Sequence, residues 1–135
     1  MASISKFCLP DGSEFDIKDE TARSAISNLT ISKSIEYVTS TTYSTKSSAT
    51  TVSFTPANTG FITVDVNPSS SSASVYVDVS QTQSSGTSQR IARIVPSAGA
   101  RQAQTIPVIG GNKVSITYIN ATVYVRQYKE VYTIS

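Results

Sequence analysis

The sequence predicts an all-β fold: an antiparallel jelly-roll-like β-sandwich preceded by a small N-terminal β-hairpin and one short helix. Three observations lead there. From Ile106 to Tyr132, apolar residues alternate with polar ones around short turns, the period of two that marks half-buried strands. Eight such runs, separated by polar connections, follow one another from Ile35 to the end of the chain, the number a jelly roll requires. Serine and threonine make up 41 of the 135 residues while 39% remain hydrophobic. That balance suits strands and turns, and the regular Val and Ile positions argue against a disordered polar tail. Topology is not readable at this stage, and an immunoglobulin-like sandwich remains the alternative.

The first element is a hairpin over residues 4–18. Pro10-Asp11-Gly12 is turn chemistry, with φ preset by proline and a left-handed position for glycine. Phe7 and Leu9 before the turn and Phe15 and Ile17 after it form its apolar positions. A lone two-stranded hairpin is marginal in water and needs something to dock on. Residues 19–29 follow as a short helix, capped by Asp19, with Ala22, Ile26 and Leu29 recurring at i, i+4 and i+7. Eleven residues do not hold a helix alone, so the stripe either packs on its own domain or forms a seam between copies.

A shift to Ser and Thr places a module boundary near residues 30–34, dividing the chain into an N-terminal module, 1–30, and a head, 31–135. Strands are expected at 35–38, 51–55, 61–67, 74–80, 90–95, 105–109, 113–119 and 122–132. Residues 39–50 and 81–89 read as polar loops. The runs 61–67 and 74–80 read as a hairpin, and 106–132 as consecutive antiparallel strands in which Gly110-Gly111-Asn112 and Asn120-Ala121 supply the turns. Val114, Ile116, Val123 and Val125 are assigned to the core. Tyr124, Tyr128 and Tyr132 share the opposite strand face, a row suited to a subunit interface or a ligand.

Composition narrows the chemistry. Eleven basic and nine acidic side chains give a net charge of +2, too small and too scattered for a nucleic-acid footprint. With no histidine and a single cysteine, Cys8, the usual general base, a thiol–imidazole pair and an intrachain disulfide are all missing. No apolar run is long enough for a signal peptide or a membrane span, so a soluble chain made in a reducing cytoplasm is expected. Asp65 and Asp78 are the one pair of carboxylates on neighbouring strands. They read as solvated surface charge, because nothing supplies the desolvated pocket a glycosidase acid needs. Neither a metal nor a cofactor is expected, and the chain does not read as an enzyme. Arg90, Arg93 and Arg101 are the basic cluster.

The run Leu9–Ile26, LPDGSEFDIKDETARSAI, resembles a stretch found near the starts of fibre and appendage proteins of tailed bacteriophages. Asp11, Gly12, Phe15, Ile17, Lys18, Asp19, Ala22 and Arg23 carry the match. Ile106–Ile116, IPVIGGNKVSI, is similar to a strand-turn-strand of trimeric tumour-necrosis-factor-like jelly rolls at phage fibre tips, with Asn112 where an acidic residue is usual. The resemblance implies a homotrimeric virion surface protein, made in the host cytoplasm. Phe7, Leu9, Phe15 and Ile17 would anchor it to a capsid or tail protein. Ala22, Ile26 and Leu29 would form a trimer neck, and Tyr124, Tyr128 and Tyr132 the trimer interface of the head. The small size and the Met1 start favour a head fibre. A receptor-binding tip for host surface glycans is the alternative, with Tyr43 and Arg101 as its candidate contacts.

Overall fold

The computed structural model describes residues 6–8, 10–12, 14–16, 20–70, 74–97 and 99–135. They form strands β1 (Lys6–Cys8) and β2 (Glu14–Asp16), helix α1 (Glu20–Ser27), and strands β3 (Ile31–Tyr43), β4 (Thr50–Phe54), β5 (Gly60–Pro68), β6 (Tyr76–Thr82), β7 (Ser88–Ile94), β8 (Gln102–Val108), β9 (Val114–Ile119) and β10 (Ala121–Ile134). The chain groups into two compact units. One contains the residues up to Ser34 together with Tyr132–Ser135, and the other is Ile35–Val131.

In the smaller unit β1 and β2 pair antiparallel with Phe7 opposite Phe15, and Gly12 takes a positive φ in the turn between them. Leu9, Ile17 and Asp19 lie outside the described residues, as do the side chains of Phe7, Phe15 and Ala22. The helix is shorter than the apolar spacing suggests. Its last turn closes with Asn28 N–H donating to Ser24 and Leu29 N–H to Ile26, which leaves Leu29 beyond the helix. Thr30 and Ser135 then exchange both backbone hydrogen bonds, at 2.8 and 3.0 Å, and tie the end of β10 to the start of β3.

The larger unit holds two four-stranded antiparallel sheets, ordered β3-β10-β5-β8 and β4-β9-β6-β7. Each of the eight expected strands is present. The first strand neighbours the last, the second the seventh, the third the sixth and the fourth the fifth, so the chain is one long antiparallel hairpin rolled up into a jelly roll. The core fills the space between the sheets. Val64, Ile62 and Val66 of β5 and Val123 and Val125 of β10 meet Val77 and Val79 of β6 and Val114, Ile116 and Tyr118 of β9, all at most 1% exposed. Val52, Phe54 and Tyr43 pack against its margin.

That winding corrects four expectations. Strands 61–67 and 74–80 do not form a hairpin: β5 pairs with β10 and β8, and β6 with β9 and β7. Their valines are buried from opposite sheets, and the serine-rich connection is long enough to cross between them. The run 106–132 likewise alternates between sheets instead of forming neighbours in one. Residues 39–43 are strand rather than loop, and β6 continues to Thr82 opposite Ser88, because backbone pairing outweighs weak apolar patterning. Asp65 and Asp78 stand in different sheets, and Asp65 is buried at 7% exposure, not a solvated surface charge.

Two clusters of polar contacts hold the sheet crossings. At one end Asn120, in the left-handed region at φ 55°, turns the chain from β9 into β10. Its N–H donates to Lys46, its carbonyl accepts from Ser69, and its side-chain amide donates to Ser74. At the other end the Gly110-Gly111-Asn112 turn is gripped from both sides. Gly111 N–H donates to Pro56, and Gly110 N–H to Thr59 Oγ1 at 3.0 Å. The buried Gln81 donates to Ile109 O at 3.0 Å and accepts from Ile109 N–H at 3.2 Å. A Cβ on Gly110 would stand 2.6 Å from the Asn58 carbonyl carbon, so the close approach of two backbones requires glycine there.

Candidate interaction surface

Strand β10 presents Val123 and Val125 to the core and Tyr124 and Tyr128 outward. Period-two geometry makes this unavoidable once the valines are buried. On the outward face of the sheet, antiparallel register sets Tyr128 beside Phe61 of β5, which in turn faces Pro107 of β8. The rings of Phe61 and Tyr128 stack at 4.8 Å with 19° between planes, and Tyr37 of β3 meets Tyr128 edge-on at 5.9 Å. A row of ring side chains therefore crosses all four strands. Lys129 pairs with Glu36 at 3.1 Å across the same two strands.

Four residues earlier on β10, at Tyr124 opposite Asp65, a charged pair joins the ring. Arg101 donates from Nε and Nη2 to the two carboxylate oxygens of Asp65 and lies over the Tyr124 ring at 5.2 Å. Those hydrogen bonds hold the Asp65 carboxyl below its usual range. Burial opposes the shift, while the charges of Arg101 and Arg126 add to it. Asp65 in turn raises Arg101 further above its ordinary value. The pair favours the ionised form of a largely buried carboxylate, against the desolvation that opposes it.

The second sheet repeats the combination. Asp78 lies 3.1 Å from Arg93 and 3.6 Å from Arg90, and Arg93 covers the Tyr76 ring at 5.2 Å. The Asp78 Oδ1 contact is ionic without the alignment of a hydrogen bond, since that buried oxygen has no hydrogen-bond partner. Beside it, hydroxyl pairs Thr51–Thr117 and Ser53–Ser115, at 2.8 and 2.9 Å, link β4 to β9.

The tyrosine row is thus partly assembled. Tyr128 sits in the ring stack and Tyr124 under Arg101, while Tyr132, 60% exposed, belongs to the smaller unit, where Lys33 lies over its ring at 5.9 Å. Tyr43 and Arg101 are not brought together. Arg101 stands on the outward face, whereas Tyr43 packs on the core beside Tyr118 at 6.3 Å. Burial, and then Tyr118, push the Tyr43 hydroxyl above its usual pKa. Of the neck positions, Ile26 is half-buried and Leu29 is 54% exposed. Sequence patterning gives no sign of Asp65 or Gln81 as buried polar groups, because their partners lie 36 and 28 residues away.

Among the described residues no group of three or more His, Cys, Asp or Glu side chains could hold a metal, and no helix is long and apolar enough to cross a membrane. No protein-family model, curated protein or solved structure matches the chain.

Proposed function

We propose that this chain is a structural protein of a tailed-bacteriophage virion, a homotrimeric surface fibre or decoration, with a head fibre favoured. Its N-terminal module attaches to a capsid or tail protein, and its β-sandwich is displayed outward. The observation that carries the assembly is the apolar surface of the smaller unit. Leu29, Ile31, Tyr132 and Ile134 are 54–69% exposed there, where the start of β3 meets the end of β10. Exposed apolar side chains of this kind mark a contact with other chains. The Leu9–Ile26 resemblance supplies the virion as the place where those chains meet.

Native mass measurement at micromolar concentration tests the trimer. Three copies are expected, and Ile26→Asp or Leu29→Asp should shift the population toward single chains while the sandwich keeps its melting transition. A stable monomer of the unaltered protein would end the reading. The host-glycan alternative draws on Arg101 lying across Tyr124, a polar-aromatic pair on an outward face. Glycan-array binding lost in Arg101→Ala would favour it, and a blank array would remove it.

A further inference from the structure

Past Val125 the inward face of β10 leaves the tightly packed core. The next inward positions, Gln127 and Lys129, share a cavity with the β4–β5 connection. Register places Gln127 beside Ile62 and Ile106, and Lys129 beside Gly60 and Val108. Gly60 puts no side chain into the second row, and none could be added, because a Cβ would run into the backbone of Tyr128 and Lys129. An open cavity of about 270 Å³, its mouth included, remains there.

Its walls are apolar. Val38, Pro56, Ile62 and Val108 line it, and Val38, on the face of β3 opposite Tyr37, is 47% exposed. The polar groups are few. Asn58 and Gln127 bring amides to the lining, and neither side chain hydrogen-bonds to any described residue. Lys129 also borders the cavity and is already paired with Glu36 at 3.1 Å. An apolar hollow on which a small number of polar groups converge is the usual form of a small-molecule site.

Each feature limits what the cavity can hold. Its one charged lining residue is matched by Glu36, so a neutral group is favoured over an ion, which would be desolvated without a partner. Two unengaged amides each offer an N–H donor and a carbonyl acceptor, and their complement is a group with one of each. The valine and proline walls accept a methyl group. Methyl and amide together make an acetamido group. The cavity is smaller than the roughly 300–1,000 Å³ of sites for drug-sized ligands, so that group and part of one ring fill it.

We infer that this cavity binds an N-acetylated amino sugar. The acetamido methyl lies against Val38 and Val108, its amide meets Gln127 and Asn58, and the ring hydroxyls stay at the mouth beside Lys129 and Glu36. A sugar suits that mouth better than an acetylated lysine, whose aliphatic stem would lie along the charged pair. The site uses neither Tyr43 nor Arg101, and it depends neither on the trimer nor on the virion.

Nuclear magnetic resonance titration of the full chain with N-acetylglucosamine tests it. Binding in the millimolar range should shift the methyl signals of Val38 and Val108 and the side-chain amide of Gln127. Glucose, with a hydroxyl in place of the acetamido group, should bind about tenfold more weakly or worse, because the Gln127 amide is then left unpaired. Gln127→Met keeps the volume and should weaken the acetylated sugar by a similar factor, while Ala57→Trp, which crowds the cavity from the exposed connection, should abolish the shifts. Arg101→Ala should leave them unchanged, which separates this site from the outward face. The inference is overturned if N-acetylglucosamine moves none of these signals, if glucose binds as well, or if either folded variant binds like the unaltered chain. N-acetyl-lysine amide binding as tightly as the sugar would overturn it too, by assigning the cavity to a peptide.

Discussion

Replacing Gln81 with methionine should destabilise the sandwich out of proportion to the change in size. The side chain is 7% exposed, and methionine nearly preserves its volume, so packing is little altered. What is lost is the clamp on the β8–β9 connection: the bonds to Ile109 O and from Ile109 N–H, at 3.0 and 3.2 Å, and a longer one to Asn112 O at 3.4 Å. Two well-formed bonds contribute about 1 kcal/mol each net, and leaving a shielded backbone group unpaired adds to the loss, so about 2–3 kcal/mol is expected. An unfolding entropy of about 2.1 cal/mol/K per residue over roughly 100 residues gives about 0.2 kcal/mol/K. The melting temperature should therefore fall by about 10–15 °C, measured by circular dichroism or calorimetry at fixed protein concentration. A fall under about 3 °C would mean that water satisfies Ile109 as well as Gln81 does, and the clamp would carry no weight.

Ile116→Ala opens the core where β9 faces the opposite sheet and should cost about 2–5 kcal/mol, seen as a lower urea midpoint. Asn120→Ala should be less stable than Asn120→Gly by about 1 kcal/mol, since both lose the Ser74 bond but only alanine is strained at positive φ. The lowered Asp65 pKa implies stability that is complete above the unfolded carboxyl value near 4 and is lost as pH falls through the folded value. Melting curves of Asp65→Asn between about pH 5 and 2 should accordingly be flatter than those of the unaltered chain, and parallel curves would contradict the pairing.

The strands were legible because burial on one face imposes a period of two, and Val114, Ile116, Val123 and Val125 sit where alternation puts them. Their neighbours were not legible. Pairing depends on which sheet each apolar face approaches, and Val64 and Val77 look alike in sequence whether they share a sheet or oppose one another. The same limit hid Tyr43, whose polar surroundings resemble a loop although it ends a long strand against the core. Asp65 and Gln81 were missed for a related reason: a polar residue's burial is decided by a distant partner, Arg101 in one case and the Ile109 backbone in the other, and no local pattern announces it. The outward position of Tyr124 and Tyr128 followed from alternation, but their attachment to Arg101 and Phe61 required the fold.

Mass spectrometry and antibody labelling of purified particles, from a phage or induced prophage encoding this chain, test the virion assignment most directly. The account predicts that the protein is present on the particle surface in a copy number divisible by three, and that it is lost when the N-terminal module is deleted. Its absence from particles that are otherwise complete and infectious would contradict the assignment.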